Sequence, residues 1–284
     1  MKLASYRFRG QPGWGVVTDT GIAPLADQWP AIGDGLAAGL PALGQALARQ
    51  PARIALADVE WSAPVTPSCK ILCVGINYAL HIAESRRETP AHPSIFIRFA
   101  DSFVGHGQAI VRPAASGQFD FEAELAVVIG RRCRHASVDD ALDYVGGYTC
   151  LGDNSVRDFQ KHAAQVTAGK NWDSSGSIGP WIVTADEIGA PQDLAIACRL
   201  NGAEMQRGHS ADMLFPVARL VSYISTFTTL RPGDIIATGT PSGVGASRTP
   251  PRWMQAGDRL EIEIAGIGVL ANPVSQEAPT PGGA

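Results

Sequence analysis

No stretch of this sequence approaches the roughly 18 consecutive apolar residues that a membrane-spanning helix needs, so no membrane association is expected. Basic charge is not in surplus either. Lys and Arg number 23 against 27 Asp and Glu, a net charge of -4, and no basic stripe or motif suits nucleic acid. Cysteine is sparse: Cys69, Cys73, Cys133, Cys150 and Cys198 are odd in number and form no C-x-x-C pair, the usage of reduced thiols rather than a disulfide framework. The opening MKLASYRFRG lacks the apolar centre of a secretory signal. Internal repeats and low-complexity tracts are missing too. These absences predict a soluble, cytoplasmic protein.

What remains is a chain of 284 residues, 45% hydrophobic, long enough to bury about 70–75% of its unfolded surface. The first part, residues 1–65, reads as a small α+β domain. Met1–Phe8 and Trp14–Thr18 alternate as strands across a Gly/Pro turn, Ile32–Arg49 has helical spacing, and WSAPVTPSCK is an extended connector. From Ile71 short β-rich runs dominate: KILCVGI, SIFIRF, ELAVVIG, WIVTADEI, LAIACRLNG, DIIATGT and RLEIEIAGIGVL, punctuated by turn signals. Helical patterns are confined to Val138–Leu142, Val156–Ala163 and Phe215–Thr226. The expectation is a mixed α/β, sheet-dominated domain over 66–275, a sandwich or roll rather than βαβ units. The tail QEAPTPGGA, 276–284, is expected to be disordered.

Chemistry gathers in FDFEAELAVVIG. In an extended strand residues two apart share a face, so Phe121, Ala123, Leu125, Val127 and Ile129 form an apolar face and Glu122 and Glu124 stand together on the other. Two carboxylates ~5–7 Å apart repel by roughly 3 kcal/mol at an effective dielectric near 20. With Asp153 as a third acid, protons are retained or a cation sits among them. An all-oxygen set suits Mg2+, Mn2+ or Ca2+ better than zinc. The alternative is a polar strand face in solvent.

Other segments carry potential partners. In NYALHIAES, His81 and Glu84 lie three apart on one helical face, a spacing that orients a base able to activate water. An exposed helical His beside a chance Glu is the alternative. SRRETPAHP follows with the charge and proline content of a lid. In GYTCLGDNSVRDFQ, a helix opened by Asp153 would align Asp153, Arg157 and Gln160 on one stripe; an ordinary surface helix would look the same. Lys170 in AGKNWD lacks the context of a Walker loop and could be a solvated loop lysine. DIIATGTPSGVG runs from a strand into a Gly-rich turn, either a bend or a ligand-contacting loop that includes Thr240.

Taken in order, KILCVGINYALHIAE, FDFEAELAVVIG, ALDYVGGYTCLGDNSVRDFQ, GK, SIGPWIVTADEI, LNGAEMQ, RPGDIIATGTPSGVG and AGDRLEIEIAGIG resemble the fumarylacetoacetate hydrolase family, over about residues 66–273. The resemblance implies a β-roll catalytic domain with a small N-terminal domain, assembled as a homodimer. It implies metal ligands at Glu122, Glu124 and Asp153, a catalytic His81–Glu84 pair on a mobile lid, and contacts to substrate from Arg157, Gln160, Lys170 and Thr240. Arg98 and Phe99 stand where many relatives have Lys and Pro, and Asn171 where many have Ser; VGHGQAIVRP with His106 is also individual. None of these departures is expected to touch the ligands. Arg86, Arg87 and Arg98 are read as receivers of a second substrate carboxylate or as solvated lid charges.

For function, the resemblance and the spacing lead to one expectation: Mg2+- or Mn2+-dependent hydrolysis of a C–C bond in a 2,4-dioxo acid of acylpyruvate type, such as a fumarylpyruvate, giving pyruvate and a carboxylic acid. In that scheme His81 activates water while Lys170 and Gln160 stabilise the oxyanion. Oxaloacetate decarboxylation, isomerisation of an unsaturated 2-oxo diacid from aromatic catabolism, and metal-dependent ligand binding without turnover are the competing expectations.

Overall fold

The computed structural model describes residues 1–85 and 88–278. Arg86, Arg87 and positions 279–284 of the expected tail lie outside the described residues. The N-terminal segment forms a meander, β1 (Lys2–Phe8), β2 (Gln11–Thr18) and β3 (Gly21–Pro24), then α1 (Ile32–Ala38), α2 (Leu40–Arg49) and β4 (Val59–Ser62). The helical spacing over Ile32–Arg49 is divided at Gly39, whose φ of 88° is left-handed backbone open to glycine at little cost.

Next come β5 (Ile71–Gly75), α3 (Ala79–Ser85), β6 (Ser94–Arg98), β7 (Phe103–Val104), β8 (Ile110–Arg112), β9 (Phe119–Asp120), β10 (Ala123–Ile129), β11 (Val145–Gly152) and β12 (Ser155–Val156). The single-turn helices α4 (Arg157–Gln160) and α5 (Thr167–Lys170) lead to β13 (Gly176–Thr184) and α6 (Ala185–Ile188). The rest is β14 (Ala195–Leu200), β15 (Ala203–His209), α7 (Val217–Phe227), β16 (Ile235–Ala237), β17 (Arg259–Ile264) and β18 (Gly268–Gln276). Among the described residues an 11-stranded sheet follows the path β3-β2-β1-β13-β11-β10-β16-β5-β6, with β4 on β1 and β7 on β13. A 5-stranded sheet runs β15-β14-β17-β18-β8, and β9 pairs with β12. The architecture is mixed α/β and sheet-rich. Leu3 pairs opposite Ile182, so the N-terminal meander extends the central sheet.

Strand β10 shows how the layers are held. Leu125, Val127 and Ile129 enter one core with α7 and the 5-stranded sheet, including Leu220, Ile262 and Leu270. Ala126 and Val128 enter a second core with Trp14, Leu36 and Leu43. A strand buried on both faces reads as a continuous apolar run, and every residue of β10 is buried. Glu122, just before β10, is buried as well, so the solvent-facing alternative for the Glu122–Glu124 pair is excluded.

Three expected elements differ. Val138–Leu142 becomes a 3-10 turn over Ala141–Tyr144. The helix expected from Val156 contracts to α4, and Asp153 lies outside it, just beyond β11. The strand expected through WIVTADEI stops at Thr184, and Asp186 and Glu187 occupy the first turn of α6, where the helix dipole favours acids. At the C-terminus, β18 pairs with β8 as far as Gln276, opposite Arg112, and Glu277 N–H donates to Arg112 O at 2.9 Å.

Candidate active site

Register brings the acids together. Across the antiparallel β10–β11 pair, Ala123 faces Gly152. One residue further out, Asp153 N–H donates to Glu122 O at 2.9 Å. One carboxylate oxygen from each of Glu122, Glu124 and Asp153 lies within 4.8 Å of the others, and all three residues are buried. The expected helical stripe is thus replaced by a strand-end pairing, which sets Asp153 beside Glu122 more directly than a helix would.

Cations surround the triad unevenly. Lys170 Nζ donates to Asp153 Oδ2 at 2.5 Å, Asp153 O at 2.8 Å and Glu122 Oε2 at 3.1 Å; it is buried, not a solvated loop lysine. Arg157 Nη2 lies 2.6 Å from Glu122 Oε1, its Nε donates to Asp120 Oδ2 at 2.7 Å, and its Nη1 to Gln160 Oε1 at 3.0 Å. Ser155 also donates to Glu122, at 2.7 Å. Burial pushes the Glu122 carboxyl up, but Arg157 and Lys170 outweigh it and carry the carboxyl down to about 2. Burial, then Asp153 and Glu122, push Glu124 well above the ordinary carboxylate range. Its hydrogen-bond donor is the Gly239 N–H at 2.8 Å, and no cationic side chain pairs with it among the described residues. Glu124 is the uncompensated member. An all-oxygen set with one such carboxylate fits a hard divalent cation.

Gly239 makes this contact possible. Its φ is 97°, and a Cβ there would stand 2.7 Å from Asn77 Cβ, so a side chain would push the loop off Glu124. The next residue, Thr240, donates to Ala123 O at 2.9 Å and accepts from Gln206 Nε2 at 2.8 Å. These bonds hold its hydroxyl in the frame of the cavity wall.

The His81–Glu84 pair forms on α3 as its spacing implies, with Nδ1 and Oε1 2.6 Å apart. Glu84 also accepts Gly243 N–H at 3.0 Å and the Ser247 hydroxyl at 2.9 Å, which fastens α3 to the Gly-rich loop. Burial raises the Glu84 carboxyl, but donation from His81, Gly243 and Ser247 holds it below its ordinary 4.5. A depressed acid stabilises the fold above its unfolded pKa, and the contribution is lost as pH falls through the lower folded value. Thermal unfolding between pH 6 and 3 is therefore expected to fall less steeply for Glu84→Gln than for the wild type. Identical slopes would deny Glu84 this fastening role.

Nine of the site residues singled out from sequence line one cavity of about 660 Å3: His81, Glu84, Glu122, Glu124, Asp153, Arg157, Gln160, Lys170 and Thr240. Apolar walls come from Val74, Ile76, Phe96 and Val244. Sequence reasoning missed Asp120 and Gln206. Asp120 is buried and, besides Arg157, accepts Gly245 N–H at 2.7 Å and Ala246 N–H at 3.0 Å. Its signal was present, since it stands two residues before Glu122 in the same alternation. Gln206 Oε1 accepts Ala123 N–H at 3.0 Å, a contact across 83 residues with no local signal. Arg98 corrects the expectation that no departure touches the acids: it donates to Asp153 Oδ1 at 3.0 Å. At 3% exposure it is neither a solvated lid charge nor placed to meet a second substrate carboxylate.

A buried oxygen triad and a His–carboxylate pair on one cavity define a candidate divalent-metal enzyme on a sheet-rich scaffold. Comparison with known proteins supplies the family. The profile described as Fumarylacetoacetate (FAA) hydrolase C-terminal matches residues 70–275, and the chain belongs to the fumarylacetoacetate hydrolase family. Oxaloacetate tautomerase Fahd2a, mitochondrial, of Rattus norvegicus is 42% identical over 231 residues, covering 81% of this chain and 74% of that one. The 2,4-didehydro-3-deoxy-L-rhamnonate hydrolase of Sphingomonas sp. (strain SKA58) is 38% identical over 281 residues, 97% of this chain and 96% of the other. Among solved structures, maleylpyruvate hydrolase from Sphingobium sp. SYK-6, in complex with manganese(II) ion and pyruvate, is similar with a TM-score of 0.81 at 31% identity. That similarity covers 98% of this chain and all of the other. No helix among the described residues is long and apolar enough to cross a membrane.

Proposed function

We propose that this protein hydrolyses the C3–C4 bond of a 2,4-dioxo acid of acylpyruvate type, giving pyruvate and a carboxylic acid, with Mg2+ or Mn2+ held by Glu122, Glu124 and Asp153. Ca2+ fits the same donor set. The observation that carries the reading is the His81–Glu84 pair, 2.6 Å apart, on the wall of the cavity that also contains the triad. A bound divalent cation would supply a Lewis acid to polarise the 2-oxo group and balance the enolate charge left by C–C scission. Glu84 holds the His81 ring by Nδ1, leaving Nε2 to take a proton from water as that water attacks C4. The C3–C4 electron pair stays with C3, which then takes a proton to give pyruvate. Lys170 supplies positive charge beside the triad. Gln160, whose Oε1 is engaged by Arg157, keeps its amide N–H groups for an oxyanion. Arg157 adds positive potential for an anionic substrate while keeping Glu122 ionised.

The 38% identical hydrolase relative supports hydrolysis. The 42% identical tautomerase relative favours a second reading, keto–enol exchange of oxaloacetate, which needs the same 2-oxo acid grip and one proton shuttle but no attacking water. We further infer a homodimer in a reducing, cytoplasmic setting, in keeping with five free cysteines. The test is a panel of acylpyruvates, unsaturated 2-oxo diacids and oxaloacetate, run with Mg2+, Mn2+ or EDTA. Hydrolysis requires loss of enol absorbance with stoichiometric pyruvate and acid, abolished by EDTA. Conversion of oxaloacetate between tautomers with no carbon–carbon bond broken would establish the second reading, and CO2 release would replace both.

A further inference from the structure

Arg98 has no part in the chemistry above, yet its environment is built around it. The guanidinium lies 4.4 Å from the Phe103 ring centre. Its Nε donates to the Ser102 hydroxyl at 3.1 Å. Nη1 donates to Asp153 Oδ1 at 3.0 Å and Asn154 O at 3.4 Å; Nη2 donates to the Ser175 hydroxyl at 2.8 Å and Ser102 O at 3.4 Å. These bonds use all the N–H donors a guanidinium has, so none is left for substrate. Asp153 is thereby gripped from two sides, Oδ1 by Arg98 and Oδ2 by Lys170.

The two grips are also tied to each other. Asn171, the residue after Lys170, accepts Phe99 N–H at 2.7 Å and donates to Ile97 O at 3.1 Å. Its amide therefore closes on the backbone on either side of Arg98, at the edge strand β6. The Phe99 N–H it uses is one that proline in that place would lack.

We infer that Arg98 is a positioning residue, which fixes Asp153 in the one orientation that completes a divalent-cation site. The inference rests on the proposed metal role of the triad. Charge and positioning make opposite demands. A cation beside Asp153 repels an incoming metal ion, so charge alone predicts that Arg98→Met binds metal more tightly. Positioning predicts the reverse, because a ligand carboxylate freed from its supporting hydrogen bonds typically costs about 10- to 100-fold in metal affinity.

The experiment is Mn2+ titration of the purified, metal-stripped chain, followed by the electron paramagnetic resonance of free Mn2+, with circular dichroism to establish that each variant is folded. Arg98→Met is expected to weaken Mn2+ binding about 10- to 100-fold, and Arg98→Lys, which keeps the charge but offers fewer donors, by less. Should Arg98→Met fail to fold, Ser175→Ala carries the test. It removes one support of the guanidinium and touches no carboxylate, and is expected to weaken binding about 2- to 10-fold. Equal or tighter binding by Arg98→Met, or unchanged affinity in Ser175→Ala if only that variant folds, overturns the inference and leaves the metal reading intact. A wild-type chain that binds no Mn2+ overturns both.

Discussion

Replacing Glu124 with Gln is expected to lower turnover by about three orders of magnitude, the several kcal/mol that a Lewis acid supplies to an enolate-forming step. It is also expected to abolish tight Mn2+ binding. The effect should be larger here than at a surface carboxylate, because Glu124 is buried and is the triad's uncompensated acid. Glu122 is paired with Arg157 and Lys170, and Asp153 with Arg98 and Lys170; Glu124 accepts a backbone N–H from Gly239. A cation entering the triad gains most from that carboxylate. The metal-stripped protein should respond in the opposite sense. Gln keeps the shape and can still accept from Gly239 while removing an acid that burial and its neighbours make costly to ionise, so its melting temperature near neutral pH should rise by about 2–4 °C, the shift that roughly 1 kcal/mol gives a chain of this size. Added Mn2+ should then raise the melting temperature of the wild type but not of the variant. Parallel measurement of kcat, Mn2+ affinity and the two melting curves checks the set. Wild-type affinity in the variant would remove Glu124 from the metal site.

His81→Ala should cost about 10^2- to 10^4-fold in kcat for hydrolysis, the usual worth of a positioned general base, with Mn2+ affinity unchanged. This separation follows from the geometry, because the described contact of the His81 ring is with Glu84, not with an acid of the triad. KM should move little, since the imidazole is assigned to water rather than to the substrate's carboxylate end. Glu84→Gln should lose less of kcat, because the amide still props the ring while weakening its basicity. The comparison also separates the two proposed reactions. Full hydrolytic turnover in His81→Ala would exclude water activation by this residue. Hydrolysis lost with oxaloacetate tautomer exchange retained would show that the active site grips 2-oxo acids and shuttles the tautomer proton through another group.

Much of this was legible in the sequence because it is local or periodic. Alternation along FDFEAELAVVIG placed Glu122 and Glu124 together, and the i, i+3 spacing on α3 placed His81 on Glu84. Turn signals separated short β runs, and the order of the motifs gave the family resemblance. Less legible were features whose partners are distant. Asp153 was placed on a helical stripe because Arg157 and Gln160 follow at suitable intervals, whereas Ser155 and Val156 instead pair with β9 and confine the helix to one turn. The sequence offers Arg98 as a receiver of a second substrate carboxylate or as a solvated lid charge and hides its structural role, because its acceptors, Asp153 and Ser175, lie 55 and 77 residues away. Gln206, bridging Ala123 and Thr240, was invisible for the same reason.

The sequence by itself determined which acidic side chains share a strand face and which His and Glu meet on one helical turn, since side-chain direction along a strand or a helical turn repeats with a fixed period. It could not determine how charge is balanced among them. Only the tertiary structure decided that Lys170, Arg157 and Arg98 compensate two acids of the triad and leave Glu124 uncompensated. Coulomb energy in a buried site depends on separation in space and on the exclusion of water, and neither is fixed by distance along the chain.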